Sequence, residues 1–442
     1  MPGLEITLLG GAREVGRSCI LISGGSSHLL LDAGIKLGVD PPEKYPLIPP
    51  ETPDAIINSH AHLDHTGFVP AFVKRYDCPV YATPPTQDIS ELLFMDSIKI
   101  SKEADEEPPY DVEDVMAVRR RAIDLYYNVP IEMQDARIVL YRAGHILGSA
   151  MIKLELAGIS ILYTGDFSMR NTRTLQMADF NVGKIDVLVI ESTYGSPSDK
   201  HPSHKRIGRE FANAVDRTTK RGGKVIIPVF AVGRAQQVML MLEDYMRSNY
   251  IDQVNIFVDG LVRRVNRVYE LYWEWLKPEI QKRIRYTHSS PLESEIFHVV
   301  GDRDEPIEYD GPCIIITTSG MVEGGPVLHY LKELGNDPSN LICLTGYQAP
   351  KTRGRALLDG SRELTVHNNT KIDISAEVLT FEFSAHADRS NIHRFVSMLN
   401  GVRHVLCVHG EEAKTIALAN SIKKLKKVDA YAPKIGETID LV

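Results

Sequence analysis

The sequence predicts an α/β chain of two domains, and three observations lead to that prediction. A chain of 442 residues with 43% hydrophobic content is too long for one ordinary core. Short apolar runs that end in a glycine-containing polar turn recur along it, as at residues 159–168. Between residues 224 and 345, four such runs alternate with helical stretches, which is the pattern of a parallel α/β sheet.

Composition narrows the class of protein. Five scattered cysteines form no Cys-x-x-Cys pair and no disulfide framework, which favours a reducing, cytoplasmic compartment. The chain opens without a basic segment followed by an apolar one, and no apolar run approaches the length of a membrane span, so we expect neither secretion nor membrane insertion. A formal net charge of −8 argues against a generally basic nucleic-acid-binding surface but leaves room for a local basic groove.

The first strands are predicted at residues 6–9 and 18–22, joined by a glycine turn as a β-hairpin. A nucleotide-binding glycine loop is the competing interpretation, but the segment after the turn alternates as a strand instead of opening a helix. The next apolar strand, at residues 29–31, delivers Asp32 before a glycine, where an aspartate often caps a turn.

A cluster of histidines and an aspartate follows the apolar strand at residues 55–57. It contains His60, His62, Asp64 and His65, and neutral imidazole and carboxylate are the ligands of zinc and related ions. His60 and His62 can point the same way from an extended segment, whereas Asp64 and His65 project differently and suit a second ion. A polar loop or one structural zinc is the alternative, although no pair of cysteines is present to close such a site.

Three further strand ends carry chemistry-bearing residues. His145 follows the strand at residues 138–142, Asp166 follows an apolar strand after Gly165, and Glu191 ends the strand at residues 186–191. A carboxylate at a buried strand end needs a compensating charge or several donors. Between them, residues 84–132 are charged and punctuated by proline, and we expect an exposed helical excursion there.

The motifs resemble those of one family. The His-x-His-x-Asp-His cluster resembles the metallo-β-lactamase superfamily, and residues 191–195 resemble motif A of its β-CASP nucleases. Residues 383–388 and 408–411 resemble motifs B and C, so the resemblance covers nearly the whole chain in order. It implies an αββα sandwich interrupted by a β-CASP domain on a mostly parallel α/β sheet, with domains at 1–200, 201–370 and 371–442.

The resemblance also implies a two-zinc hydrolytic site. One zinc would be held by His60, His62 and His145, the other by Asp64, His65 and His409, with Asp166 between them and Asp32 supporting the ligands from behind. Of the residues expected to act in catalysis, Asp64 is also a ligand, and His386 would contact the scissile phosphate or protonate the leaving oxygen. We expect Glu191 to orient His409 or to hold the attacking water.

Motif C of this chain contains a histidine, His409, and in this respect the chain resembles the RNA-processing members of the family. The forms of motifs A and B favour an endonuclease that resembles the cleavage and polyadenylation specificity factor; a 5′-to-3′ exonuclease of RNase J type and a non-catalytic RNA-binding scaffold are the alternatives. No RNA-binding extension is apparent before residue 6, so we expect the short prokaryotic or archaeal form. The oligomeric state is open, with a homodimer as one alternative. The residues predicted to contact RNA phosphates are Arg234, Ser319, Gly320, Arg353 and Arg355.

Overall fold

Within residues 3–103 and 105–200, the structure describes eleven strands and four helices. The computed structural model describes residues 3–103, 105–349, 351–366 and 370–441. In chain order the strands are β1 (Leu4–Gly10), β2 (Cys19–Gly24), β3 (Ser27–Leu31), β4 (Ala55–Ile57), β5 (Val80–Ala82), β6 (Ala122–Asp124), β7 (Ile131–Met133), β8 (Ala136–Arg142), β9 (Ala150–Leu156), β10 (Ile159–Tyr163) and β11 (Val187–Glu191). The helices are α1 (Leu63–Thr66), α2 (Val69–Tyr76), α3 (Pro84–Glu103) and α4 (Val112–Arg121).

Residues 201–384 form a second compact unit. Its helices are α5 (His204–Lys220), α6 (Arg234–Arg247), α7 (Val262–Leu271), α8 (Pro278–Thr287), α9 (Glu305–Glu308), α10 (Val327–Leu334) and α11 (Arg353–Leu358), with 3-10 turns at Trp273–Trp275 and Pro291–Glu293. Its strands are β12 (Val225–Pro228), β13 (Asn255–Val258), β14 (Phe297–Val299), β15 (Cys313–Thr317), β16 (Leu341–Leu344), β17 (Glu363–Thr365), β18 (Lys371–Asp373) and β19 (Glu377–Thr380). Six of these strands form one sheet in the order β14-β13-β15-β12-β16-β19, and every pair in it is parallel. The predicted parallel α/β sheet is therefore confirmed.

The chain then returns to the first unit, which comprises residues 1–200 and 385–442. The return consists of α12 (Arg389–Met398), β20 (His404–Val408), α13 (Glu412–Lys426), β21 (Asp429–Tyr431) and β22 (Thr438–Leu441). One seven-stranded sheet has the order β22-β1-β2-β3-β4-β5-β6 and the other has the order β21-β20-β11-β10-β9-β8-β7. Strand β22 pairs with β1, so the C-terminal residues complete a sheet that the N-terminal residues begin.

Side-chain alternation along the strands builds the layers of this unit. In β2, Ile20 and Ile22 belong to the core between the two sheets, whereas Cys19 and Leu21 belong to the core under α2 and α4. Successive side chains on a strand point to opposite faces, so a strand with apolar residues at every position is covered on both faces. The second sheet has the same arrangement, with α12 and α13 on its outer face. These layers confirm the predicted αββα sandwich.

The helices α3 and α4 are not the exposed excursion that the charged sequence suggested. Phe94 and Ile98 of α3 and Val115 of α4 are buried in the outer core of the first sheet. The charged residues occupy the other faces of these helices, as in the ion pair of Arg119 with Asp88. Proline and charge in this segment therefore reflect helix ends and a solvated side, and the apolar side covers the sheet.

The second unit ends at Ser384, beyond the boundary at 370/371 expected from the sequence. Strand β19 lies between these two positions, and it pairs in parallel with β16 of the second unit. Among the described residues, no helix has both the length and the apolar character needed to cross a membrane.

Candidate metal centre

The candidate site lies where parallel strands of both sheets end. Asp32 follows β3, and the segment that ends at His65 follows β4. Asp166 follows β10, and His409 follows β20. Because β3 is parallel to β4, and β10 and β20 are both parallel to β11, the carboxyl ends within each sheet share an edge. His145 comes from the turn between β8 and β9. Strand pairing thus gathers side chains that lie far apart in the sequence.

Three imidazoles and one carboxylate form the first donor group. Its members are His60, His62, His145 and Asp166, and one possible ligand atom from each lies within 4.8 Å of the others. Nε2 of His145 lies 3.1 Å from Nδ1 of His62. Oδ2 of Asp166 lies 3.7 Å from Nε2 of His60 and 3.8 Å from Nε2 of His145. Four nitrogen and oxygen donors are the number and kind found in tetrahedral zinc sites.

A second donor group shares Asp166 with the first. Its other members are Asp64, His65 and His409. Oδ1 of Asp166 lies 3.5 Å from Nε2 of His65 and 3.7 Å from Nε2 of His409. Oδ2 of Asp64 lies 3.5 Å from the same His409 nitrogen. Asp166 therefore turns one oxygen toward each group, and the structure brings together every residue predicted as a ligand.

In the described part of the chain, several atoms that could bind a metal are buried and have no hydrogen-bond partner. They include Nε2 of His60, Nε2 of His65 and Oδ1 of Asp166. Each unpaired buried polar atom costs roughly 1–3 kcal/mol, and these three converge on one another. A divalent cation would offset the cost, because imidazole and carboxylate are its usual protein ligands. The residues present therefore fit bound divalent metal.

The protonation of the histidines suits this role. Burial lowers the pKa of His60 and His145 well below the ordinary histidine value, so both are neutral near pH 7 and offer lone pairs. Burial also opposes protonation of His65, but the carboxylates of Asp166 and Asp32 raise its pKa well above that value. His65 is therefore protonated near pH 7 in the metal-free chain, and it would release a proton when a cation binds.

Asp32 supports the donors from behind the site. Its fully buried carboxylate accepts hydrogen bonds at Oδ2 from Nδ1 of His65 at 2.7 Å and from the Tyr163 hydroxyl at 2.8 Å. The backbone N–H and hydroxyl of Ser59 donate to the same carboxylate at 2.6 and 2.7 Å. Because Nδ1 of His65 is used in this way, its Nε2 faces the donor group. The structure thus places Asp32 against His65, and its support of a metal ligand stays a prediction.

Two other histidines of the donor groups, His145 and His409, contact neutral groups through Nδ1. Nδ1 of His145 lies 3.1 Å from the carbonyl oxygen of Ala385, and Nδ1 of His409 lies 2.8 Å from Oγ of Ser18. The Ser18 backbone N–H also donates to the carbonyl of Asp64 at 2.8 Å. Ser18 was not among the residues predicted from the sequence, and no local signal marks it, because its partner lies 391 positions away.

His386 is paired with Glu191. Nδ1 of His386 lies 2.9 Å from Oε2 of Glu191, whose other oxygen accepts the backbone N–H of Phe167 at 2.7 Å. The Thr193 hydroxyl donates to Oε2 at 2.6 Å. Glu191 is therefore fixed from several sides and holds His386. The expectation that Glu191 would orient His409 is wrong, because Ser18 is the side chain hydrogen-bonded to that imidazole.

The position of His386 makes it cationic near neutral pH. Burial opposes its protonation, but the Glu191 and Asp166 carboxylates raise its pKa to about 9. Its Nδ1 lies 3.8 Å from Oδ2 of Asp166, at the margin of the donor groups, and its side chain is 23% exposed. Because Nδ1 is bonded to Glu191, proton donation to a bound molecule would come from Nε2.

Comparison with known proteins identifies the family. Family models match at residues 12–203 (metallo-beta-lactamase superfamily), 235–357 (Beta-Casp domain) and 371–433 (Zn-dependent metallo-hydrolase RNA specificity domain). A protein named transcription termination factor FttA from Methanocaldococcus jannaschii is 37% identical over 97% of this chain and 70% of its own length. The chain belongs to the β-CASP ribonuclease family of the metallo-β-lactamase superfamily.

Two further comparisons concern a second relative and a solved structure. An RNase J-like protein from the same organism is 38% identical over 98% of this chain and 98% of its own length. A crystal structure of a protein of unknown function from Enterococcus faecalis has a TM-score of 0.63 and covers 99% of this chain and 100% of its own, with 13% sequence identity, which shows a shared fold. The prediction of a metal-dependent hydrolase of this family is confirmed.

Three of the predicted RNA contacts lie together in the β-CASP domain. Arg234 begins α6 after β12, and Ser319 and Gly320 follow β15, which pairs with β12. A Cβ added to Gly320 would lie 2.8 Å from the backbone nitrogen of Phe230, so these two loops touch and glycine is required there. The guanidinium of Arg234 donates to Oε1 of Gln237 at 2.8 Å. Their contact with RNA stays a prediction.

The other two predicted contacts have partners within the same domain. Arg353 donates to the carbonyl oxygens of Thr365 at 2.7 Å and Glu323 at 3.0 Å, and its side chain is 22% exposed. Arg355 forms an ion pair with Asp359 at 2.9 Å. A phosphate at either arginine would compete with these partners.

Proposed function

We propose that the chain is a zinc-dependent ribonuclease that hydrolyses internal phosphodiester bonds of RNA in RNA processing or decay. Asp166 gives the main support, because it shares one oxygen with each of two donor groups beside the cationic His386. Membership in the β-CASP family supports the hydrolytic chemistry. The names of two relatives, a transcription termination factor and an RNase J-like protein, support RNA as the substrate.

Two zinc ions per chain are part of this proposal. Bound ions would neutralise phosphate oxygens and supply hydroxide near pH 7. Three imidazoles and the shared carboxylate form the first donor group, and two imidazoles and two carboxylates form the second. Nitrogen-rich sets of this kind suit zinc, whereas manganese prefers oxygen donors and is the alternative for the second group.

His386 is the proposed proton donor to the leaving oxygen. Without a proton, that oxygen would depart as a poorly stabilised alkoxide. Glu191 holds the imidazole through Nδ1 and favours its charged form, so Nε2 carries the proton to be transferred. Asp64, by contrast, serves through its place in the second donor group.

The strand ends of the β-CASP domain supply the proposed phosphate contacts. Arg234 and the backbone of Ser319 and Gly320 lie at adjacent ends of β12 and β15, where parallel sheets bind ligands. Arg353 and Arg355 would contribute only after exchanging their protein partners for phosphate. Phosphate contacts of this kind set affinity and make it dependent on salt.

A 5′-to-3′ exoribonuclease is the second candidate. The observation that favours it is the 38% identity with an RNase J-like protein over nearly the full length of both chains. The non-catalytic scaffold has no comparable support, because the structure brings all the predicted ligands together.

The decisive experiment uses one RNA sequence in three forms. A circular form has no 5′ end, and the linear forms carry a 5′-triphosphate or a 5′-monophosphate. We expect the circle and both linear forms to be cut at the same internal positions. Mononucleotide products that require the 5′-monophosphate, with an intact circle, would establish the exonuclease instead. Intact RNA in all three forms with zinc or manganese present would overturn the ribonuclease proposal.

The cytoplasm is the proposed compartment. All five cysteines are buried and unpaired, as expected where thiols stay reduced. A homodimer stays a prediction, which sedimentation of the purified chain would test.

A further inference from the structure

One stretch of the β-CASP domain differs in composition from the rest of the chain. Residues 263–288 contain seven lysines and arginines against three glutamates, although the whole chain has a formal net charge of −8. Both tryptophans of the chain, Trp273 and Trp275, lie in this stretch. Cationic and aromatic residues are thus concentrated where the proposed phosphodiester chemistry does not use them.

The structure folds this stretch into α7, the 3-10 turn Trp273–Trp275 and α8. On one side of α8, Ile280 is buried, and Arg283 forms two hydrogen bonds with the carboxylate of Glu243 on α6, at 2.7 and 2.8 Å. The helix is therefore anchored through that side. Lys282, Arg285 and Tyr286 are three and four positions apart, so they share another side, which is exposed.

The exposed side of α8 continues onto the 3-10 turn. The guanidinium of Arg285 lies over the Trp273 ring, 5.3 Å from its centroid, which is a cation–π contact. Tyr286 is 87% exposed, more than any other exposed large hydrophobic residue among those described. We refer to Trp273, Lys282, Arg285 and Tyr286 as the α8 surface.

Burial does not explain Tyr286, because an aromatic ring that remains this exposed stabilises the fold very little. Aromatic faces beside cations are the arrangement on which successive bases of single-stranded nucleic acid stack, while the cations contact the phosphates. Seven cations against three glutamates leave this stretch positive, although Arg285 also approaches Oε1 of Glu274 at 4.0 Å, and a positive surface suits a polyanion. A second copy of the chain would bring the same positive surface to a symmetric contact, and the like charges would repel each other.

We propose that the α8 surface binds single-stranded RNA, stacking bases on Trp273 and Tyr286 and contacting phosphates through Lys282 and Arg285. The inference rests on the proposed function in one respect, namely that RNA is the ligand. It adds a binding surface built from residues other than the metal ligands and the predicted phosphate contacts.

Intrinsic fluorescence gives a direct test, because Trp273 belongs to this surface and Trp275 lies in the same 3-10 turn. The full chain, stripped of metal so that RNA stays intact, is titrated with a single-stranded oligouridine and with a duplex of equal length. We expect saturable quenching by the single strand and little by the duplex. The Trp273→Phe variant should lose most of this response, and Trp275→Phe should keep it. Equal responses from the two variants would contradict stacking on Trp273.

Affinity gives the second test. Tyr286→Ala and Arg285→Ala should each weaken binding of the oligouridine about 5-fold or more, the usual effect of losing one stacking or cation contact. Matched controls in the same domain are Tyr250→Ala, an exposed tyrosine, and Arg247→Ala, an exposed arginine with an acidic partner, and both should bind as the parent does.

The outcomes separate the two proposals. A metal-loaded parent that cuts RNA, with variants of unchanged affinity, would overturn the α8 surface and leave the ribonuclease proposal standing. A parent that neither binds nor cuts RNA would overturn both. Variants that change the sedimentation coefficient but bind RNA normally would assign the surface to contact between copies of the chain, which also overturns the inference.

Discussion

Nδ1 of His386 lies 2.9 Å from Oε2 of Glu191, a residue 195 positions away in the sequence. Glu191 ends β11, and His386 precedes α12, so motifs A and B meet at the edge where the two donor groups lie. The glutamate is in turn fixed by Phe167 and Thr193. A cationic imidazole held in this way lies beside Asp166, with its Nδ1 3.8 Å from Oδ2 of that residue, and we propose that it donates a proton to the leaving oxygen.

This pairing predicts how a His386→Ala variant behaves. Turnover should fall by about 100-fold or more, the usual contribution of a positioned general acid, while metal content and RNA affinity stay near those of the parent. With an RNA whose leaving oxygen is replaced by sulfur, which departs without a proton, the variant should cut almost as well as the parent. Single-turnover rates on the two substrates measure this difference.

Glu191→Gln serves as the companion to that experiment. An amide cannot favour the imidazolium as a carboxylate does, so turnover should fall in this variant, but less than in His386→Ala. The RNA with a sulfur leaving atom should restore the rate of this variant as well. If sulfur rescues neither variant, His386 positions the phosphate instead of donating a proton. Elemental analysis of both proteins controls for loss of metal.

Asp166→Ala should lose both metal ions. The Asp166 carboxylate faces both donor groups, with Oδ2 toward His60 and Oδ1 toward His65, so its removal takes one donor and a shared negative charge from each. Asp64→Ala is the matched control, because Asp64 belongs to the second group alone and one ion should remain. Metal per chain is measured by elemental analysis. An Asp166→Ala protein that keeps both ions would contradict the shared carboxylate.

Asp32→Asn should weaken binding of the ion in the second group. Asp32 accepts from Nδ1 of His65 at 2.7 Å, and loss of such a partner typically costs about 10- to 100-fold in metal affinity. Ser18→Ala should weaken the same ion less, because the hydroxyl that contacts His409 is neutral. Competition with a chelator measures both affinities. An equal loss from the two groups in Asp32→Asn would contradict this selectivity and would show that Asp32 also supports His60 through Ser59, whose Oγ lies 3.0 Å from Nδ1 of His60.

Arg234→Ala should reduce RNA affinity and flatten its dependence on salt, with metal content unchanged. Each lost phosphate contact lowers the slope of log affinity against log salt by about one unit or less. Arg247→Ala on the same helix is the control, because Arg247 lies at the other end of α6 and pairs with Asp244. Equal slopes for the parent and Arg234→Ala would make Arg234 an ordinary charge of the domain.

Local patterns in the sequence predicted the strands and the parallel α/β sheet, whereas the resemblance of the motifs to a known family implied the αββα sandwich and the candidate metal ligands. Apolar runs predicted the strands. Each candidate metal ligand follows such a run, as Asp166 follows β10 and His409 follows β20. Parallel strands place their carboxyl ends at one edge, so residues predicted singly had to converge there. The run of apolar residues in β2 likewise predicts that both faces of the strand are buried, and its side chains do enter the two cores alternately.

Only the tertiary structure decided which groups stand behind those ligands. Glu191 holds His386 and not His409, Ser18 takes the place beside His409, and α3 and α4 cover a sheet instead of extending into solvent. A residue at a strand end reaches the site because strand pairing fixes the edge of the sheet at which that residue lies. Its hydrogen-bond partner depends on the directions of side chains from elements hundreds of residues away, and these directions are set by packing between the layers.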